Sequence, residues 1–141
     1  MAIAFRAAAS NTAIIATSVT IDVPAGTAND DVLITSVMAG GFTDPPGATW
    51  TAPAGWTLVL DTTDGAGSRM GTWRRIASSE PANYTWTISA TCDLAGGTAG
   101  YTGVDATTPV EASAGQTNAS SGSVSAPSIT TLTSNAYLVG S

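Results

Sequence analysis

The chain has 141 residues, 43% of them hydrophobic, which suits one domain with a single core and not two independent domains. Only 10% of the residues are charged, there is no lysine, and the net charge is −6, so the chain would repel phosphate backbones and is not expected to bind nucleic acid directly. The absence of histidine and the single Cys92 exclude His-dependent catalytic triads, an intrachain disulfide and a cysteine-based zinc site.

The first part of the chain predicts two strands. Residues 17–23 alternate, with Val19 and Ile21 among the apolar positions of one face, as in a half-buried strand. Residues 31–39 follow a turn and are apolar on both faces, which is typical of a strand in the middle of a sheet. For residues 1–16 two assignments stay open, an N-terminal arm or an edge strand.

Two tryptophans flank a tight turn in the next region. Trp50 lies in a short predicted strand, and residues 53–55 form a Pro-Ala-Gly turn. After the turn, the spacing of Trp56, Leu58 and Leu60 places their side chains on one shared face.

A cluster of turn-forming residues at 61–67 separates two runs of β-forming residues, which predicts a hairpin whose second arm is residues 68–76. Asp61 and Asp64 in this cluster could alternatively wrap a Ca²⁺ ion, which prefers oxygen ligands. The cluster lacks the closing bidentate glutamate of an EF-hand loop. We therefore prefer the plain hairpin and expect no metal site.

The clearest strand pattern lies at residues 84–91. Tyr84, Trp86 and Ile88 alternate with threonine and serine there, which predicts that they face the core. Residues 95–104 form a glycine-rich strand that allows close approach of another backbone. Many short strands separated by turns, without helical periodicity, predict one all-β domain over residues 1–141, an antiparallel β-sandwich of jelly-roll type.

A weak internal repeat relates the C-terminal region to the N-terminal one. Residues 19–23 followed by 31–34 have a counterpart in residues 125–131 followed by 136–139. This last apolar strand would leave unpaired N–H and C=O groups at a sheet edge. We expect the edge to be completed by more polypeptide, either a continuation of the chain or a neighbouring subunit. The interface candidates there are Tyr137, Leu138 and Val139.

Several motifs follow one another along the chain in a set order. They are Pro53-Ala-Gly55-Trp56-Thr57-Leu58-Val59, Ser79-Glu80-Pro81 with Tyr84-Thr85-Trp86-Thr87, Ala99-Gly-Tyr101-Thr-Gly103-Val104-Asp105, and Pro109-Val110. Together they resemble a loose family of Ala/Gly/Thr-rich β-sandwich proteins found among phage virion proteins, as tail and head-decoration components, and among bacterial surface proteins. The resemblance covers most of the chain from residue 19 onward. It rests on turn and core residues, so it implies a fold and carries over no catalytic residue.

Aromatic and arginine side chains supply the remaining candidate sites. Spacing leaves Trp50 and Trp73 for an exposed face, where their rings would stack on the sugar of a glycan ligand. Burial in the core is the alternative for both tryptophans. Arg69, Arg74 and Arg75 beside Trp73 form the one positive patch of the sequence. Such a patch fits a protein interface, with solvated strand edges as the alternative.

The expected function is structural. Glu80 and Glu111 are the only glutamates and stand near prolines in turns, a context that does not predict the paired carboxylates of a glycosidase; no enzyme activity and no cofactor are expected. No apolar run reaches the roughly 20 residues of a membrane helix, and no Sec signal is visible. We expect a phage virion protein, a head-decoration or tail component, whose partners are its own copies and other virion proteins. The alternative is an extracellular or cell-surface protein, an adhesin or carbohydrate-binding module.

Overall fold

The computed structural model describes residues 2–41, 47–65, 67–118, 123 and 125–140, and all regular structure within these ranges is β-strand. The strands are β1 (Ala4–Asp22), β2 (Val32–Gly40), β3 (Trp50–Thr51), β4 (Thr57–Thr63), β5 (Ser68–Ile76) and β6 (Asn83–Thr102). They form one antiparallel sheet in the order β1-β6-β2-β5-β4, with β3 also paired to β6. The all-β prediction is confirmed, and the described ranges contain no helix that could span a bilayer.

Two strands are much longer than the others and run side by side. β1 has 19 residues and β6 has 20, and their ladder joins Ala4 to Thr102 at one end and Asp22 to Asn83 at the other. The strands predicted at residues 17–23, 84–91 and 95–104 are therefore parts of this one ribbon. Residues 4–16 belong to it as well, at the edge of the sheet.

The ribbon folds back on itself near its middle. Register shifts interrupt the ladder on both sides of Ala16, and such bulges bend and twist a strand pair. The side-chain amide of Asn11 donates a 2.8 Å hydrogen bond to the carbonyl of Thr20, although nine residues of straight strand would separate them by roughly 30 Å. The two halves of β1 and of β6 therefore face each other.

The core fills the space between the facing halves. Its buried residues are Val19, Ile21, Val37, Ala39, Ala48, Trp73, Trp86, Ile88, Cys92 and Leu94. Gly96 makes the close approach possible, because a Cβ at this position would lie 2.8 Å from Cδ1 of Ile21 and 3.0 Å from Cγ2 of Val37. A larger residue there would push the two halves apart.

Two core predictions are confirmed. Trp86 is fully buried, Ile88 is buried and Tyr84 packs against the core, as their alternation predicted. β2 lies between β5 and β6, and the neighbouring side chains of Val32 and Leu33 are both buried. Because neighbouring residues of a strand point to opposite faces, β2 is covered on both sides, as expected of a central strand.

Two strand predictions are wrong. Leu58 pairs with Trp73 and Leu60 with Thr72, with a register shift between them, so the two leucines lie on opposite faces and Leu58 is 52% exposed. The bulge at this point breaks the alternation that the spacing assumed. Residues 136–140 are not in a strand, because no described strand pairs with them.

Candidate interaction surface

The tryptophans of the predicted sugar platform lie in the core region. Trp73 is 3% exposed and its ring centroid lies 6.3 Å from that of Trp86. The half-buried Trp50 meets Trp73 edge to face, with centroids 5.6 Å apart. The prediction of an exposed face at Trp73 is therefore wrong, and Trp50 has its ring against another ring instead of open to a ligand. The physical reason is the folded ribbon, which lays β5 over the first half of β6.

The arginines of β5 do not form one positive patch. Arg69 and Arg75 lie on the face of Trp73, and Arg74 lies on the opposite face, because strand residues alternate. Arg69 donates two hydrogen bonds to Asp61, at 2.8 Å from Nε and 2.5 Å from Nη2. Arg75 binds Glu80 at 2.9 Å. The predicted patch is thus neutralised at two of its three members.

Arg75, Glu80 and Tyr84 form a polar network that closes the β5–β6 turn. The Glu80 carboxylate, whose side chain is 7% exposed, accepts hydrogen bonds from Nε of Arg75 at 2.9 Å, the Tyr84 hydroxyl at 2.6 Å and the Ser78 N–H at 2.8 Å. The Arg75 guanidinium also stands 5.4 Å from the centroid of the Tyr84 ring. The network links the turn to both strands that it joins.

The charges in this network shift its pKa values. Burial by itself would raise the pKa of Glu80, but the hydrogen bonds from Tyr84, Ser78 and Arg75 and the charge of Arg75 lower it overall. Burial, together with the hydrogen bond to Glu80 and its negative charge, raises the pKa of Tyr84 to about 12. Both shifts favour the ionised carboxylate beside the neutral phenol.

A second ion pair fixes the start of β1. Arg6 donates a 2.9 Å hydrogen bond from Nη2 to Asp31, whose other carboxylate oxygen accepts the N–H of Ala28 at 2.8 Å. Asp31 is buried. Burial would raise its pKa, but the hydrogen bonds from Arg6, Ala28 and Thr102 and the charge of Arg6 lower it.

We predict that the fold loses stability in acid because of these two carboxylates. The pKa values of Asp31 and Glu80 are lower in the folded chain than their ordinary values of 3.8 and 4.5. The stabilisation is therefore fully present above pH 4.5 and is lost as the pH falls through the folded pKa values. Urea unfolding at a series of pH values measures this slope. A free energy of unfolding that stayed constant from neutral pH to about pH 3 would contradict it.

The turn between β4 and β5 uses its carboxylates for protein contacts. Asp61 is held by Arg69, and Asp64 accepts hydrogen bonds from the N–H groups of Gly67 and Ser68 at 2.8 and 2.9 Å. These contacts are those of a hairpin turn, as predicted. Within the described ranges, no group of three or more metal-ligating side chains is found.

We predict that a chelator leaves the melting temperature unchanged. The Asp61 carboxylate would have to give up Arg69, and Asp64 its turn hydrogen bonds, before either could bind Ca²⁺. Thermal unfolding with and without EDTA, at equal ionic strength, tests this. A fall of several degrees in EDTA that added Ca²⁺ reverses would establish a calcium site.

The predicted C-terminal interface lies on the outer face of the sheet. The Tyr137 ring centroid is 5.4 Å from that of Tyr101, which in turn lies 5.9 Å from Phe5 of β1. Leu138 and Val139 are exposed. Residues 137–139 are therefore an accessible apolar segment, attached to the sheet by an aromatic contact and not by a strand ladder.

The free side of β1, which we call the β1 edge, is a long strand edge without a strand partner in the described part of the chain, because β1 pairs with β6 only. Residues 7–21 include no charged side chain, and three large apolar side chains of β1 are exposed: Phe5 by 52%, Ile14 by 76% and Ile15 by 78%. Of the two alternatives predicted for residues 1–16, an N-terminal arm or an edge strand, residues 4–16 form the edge strand. Their role as an interaction surface was not predicted, although the absence of charge from residue 7 to residue 21 was a visible signal.

No family model, curated protein or solved structure matches this chain. The surfaces of the chain itself therefore carry the functional information. Of these, the β1 edge combines unpaired backbone, missing charge and exposed apolar side chains, which are the properties of a strand that associates with another.

Proposed function

We propose that this chain is a non-enzymatic structural protein of a phage particle, a head-decoration or tail component that assembles in symmetric copies. The observation that carries the proposal is the β1 edge. Proteins that stay monomeric protect such an edge with charges, proline, bulges or a covering loop. Residues 7–13 have neither charge nor proline, and their ladder with β6 has no register shift. An edge of this kind suits a chain whose working state is an assembly.

The proposal includes a completed β-sandwich of jelly-roll type in the particle. The half of the folded sheet that holds β3 is narrow, because β3 has only two residues. Leu58 lies on the same face of the sheet as Trp73 yet is exposed, since little of the other half reaches over β4. Strands added to the narrow half would cover this side chain and complete a second layer.

The alternative of an adhesin or carbohydrate-binding module loses its main support, because the burial of Trp73 and the packing of Trp50 remove the aromatic platform that it needed. The virion proposal is therefore better supported than the adhesin. Its partners are copies of the chain and other virion proteins. No part of it uses catalysis, a cofactor, nucleic acid or a membrane.

Purified particles from cells that express the gene with its neighbours test the proposal. Quantitative mass spectrometry should find this chain at a fixed copy number relative to the major particle protein, in a multiple that fits cyclic or icosahedral symmetry. A deletion of the gene provides the matched control preparation. Recovery of the chain only in the soluble fraction, never with particles, would refute the proposal, and glycan-array binding by that soluble chain would favour the adhesin.

A further inference from the structure

The β1 edge has a regular stretch between two irregular ones. Register shifts lie between Phe5 and Ala7 and between Ala13 and Ala16, so residues 7–13 form an uninterrupted ladder with Ser10 at its centre. The side chains of this stretch are alanine, serine, asparagine and threonine. These side chains are short and uncharged, so they add little bulk and no charge repulsion against a second strand.

The direction of the backbone groups follows from one hydrogen bond. The N–H of Thr12 donates to Oδ1 of Asn11 at 2.9 Å, which directs it away from β6. Because alternate residues of a strand point their N–H and C=O groups to opposite sides, Ala8 and Ser10 present theirs on the same free side. Ser10, the central residue of the stretch, therefore presents its N–H and C=O groups to any strand that pairs with the β1 edge.

We propose that β1 pairs antiparallel with β1 of a second copy of this chain, about a two-fold axis at Ser10. The proposal rests on the proposed function and specifies how its copies meet. In this register Ser10 lies opposite Ser10 of the second copy, and Ala8 lies opposite Thr12. The N–H of Thr12 becomes available when the Asn11 side chain turns away, which also breaks the hydrogen bond from Asn11 to the carbonyl of Thr20.

The exposed apolar side chains identify the occupant as a second copy. Phe5 and Ile15 stand five residues before and after Ser10, so the two-fold axis brings Phe5 of each copy toward Ile14 and Ile15 of the other. All three side chains are more than half exposed in the single chain. A parallel partner would instead place Phe5 beside Phe5 and Ile15 beside Ile15 of the other copy. With a net charge of −6, two copies repel each other through their charged surfaces. This repulsion favours contact at the uncharged residues 7–13.

Cysteine cross-linking tests the register. Opposite residues of a hydrogen-bonded antiparallel pair have Cα atoms about 5.5 Å apart, within the roughly 4.4–6.8 Å range of disulfides. Under mild oxidation, Ser10→Cys should therefore form a covalent dimer. The control Ala8→Cys should not, because its counterpart is shifted four residues, roughly 13 Å, along the strand. The native Cys92 is buried and serves as the background in both variants.

A charge at the same position tests the interface without cross-linking. Ser10→Lys places two like charges opposite each other, and analytical ultracentrifugation should show at least a tenfold weaker dimer than wild type. At concentrations low enough for both chains to be monomeric, the two melting temperatures should agree. The control Thr57→Lys adds the same charge at an exposed residue of β4, the strand at the other end of the sheet, and should leave the dimer intact.

The outcomes separate this proposal from the function on which it rests. Equal cross-linking of the Ser10→Cys and Ala8→Cys chains, no cross-linking of Ser10→Cys, or loss of the dimer in Thr57→Lys alone would overturn β1 pairing. If particles contain the chain and the Ser10→Cys variant does not cross-link within them, the virion function stands and the β1 interface fails. A covalent dimer specific to Ser10→Cys, in a chain that never enters particles, would support the interface and refute the function.

Discussion

Replacement of Trp86 by alanine is expected to lower the free energy of unfolding by about 3–5 kcal/mol. Trp86 is fully buried, and its ring meets those of Trp56, Trp73 and Tyr84 at centroid distances of 5.0, 6.3 and 6.2 Å. Its indole N–H has no acceptor in the described ranges. The loss is therefore one of packing: the ring joins the two halves of the folded sheet, and alanine would leave a cavity between them.

Urea unfolding of the Trp86→Ala chain measures this effect. Leu138→Ala is the matched control, because it also removes a large apolar side chain but at an exposed site, and it should change stability by less than about 0.5 kcal/mol. A Trp86→Ala midpoint close to that of wild type would mean that the two halves of the sheet do not pack through this ring.

The second large effect is expected at Glu80. Glu80→Ala leaves the Arg75 guanidinium without its carboxylate, and the Tyr84 hydroxyl and the Ser78 N–H without their acceptor. Breaking a fully buried ion pair costs about 3–5 kcal/mol. Because Arg75 keeps some contact with solvent, we expect a smaller loss, roughly 2–4 kcal/mol.

Asp22→Ala is the control for Glu80→Ala, since it removes one negative charge from an exposed position on β1 and should have little effect. A second readout is the pH dependence of stability. The Glu80→Ala chain should keep the acid-induced loss that belongs to Asp31 and lack the part that belongs to Glu80. Stability at neutral pH equal to that of wild type would show that the network does not stabilise the fold.

Sequence patterns predicted the elements whose position in the fold can be inferred from the pattern of their own residues. The alternation of Tyr84, Trp86 and Ile88 placed them on the core face, and the apolar run of β2 placed it centrally. Both inferences need only one local rule, that a buried face is apolar. The hairpin of β4 and β5 was also predictable, because its turn residues lie between its two arms.

The features that were not predictable depend on contacts between distant segments. Trp73 is buried because the folded ribbon brings β5 over the start of β6, and nothing in the sequence near Trp73 marks that fold. The pairing of Arg75 with Glu80 likewise required the path of the β5–β6 turn. Leu58 and Leu60 lie on opposite faces because of the bulge between them, and a bulge has no simple sequence signature. At residues 7–13, small side chains give too little contrast between the faces for alternation to be recognised.

The ladder of β1 with β6 also sets an order of events during synthesis. β1 comes before its partner along the chain, and that partner begins at Asn83 and ends at Thr102. At roughly 5–20 residues per second, β1 waits about 5–20 s before its whole partner has been made. During that interval Ile14, Ile15 and the uncharged backbone around them have no ladder on either side. The folding step that joins these segments, which lie far apart in the sequence, is expected to take milliseconds to seconds.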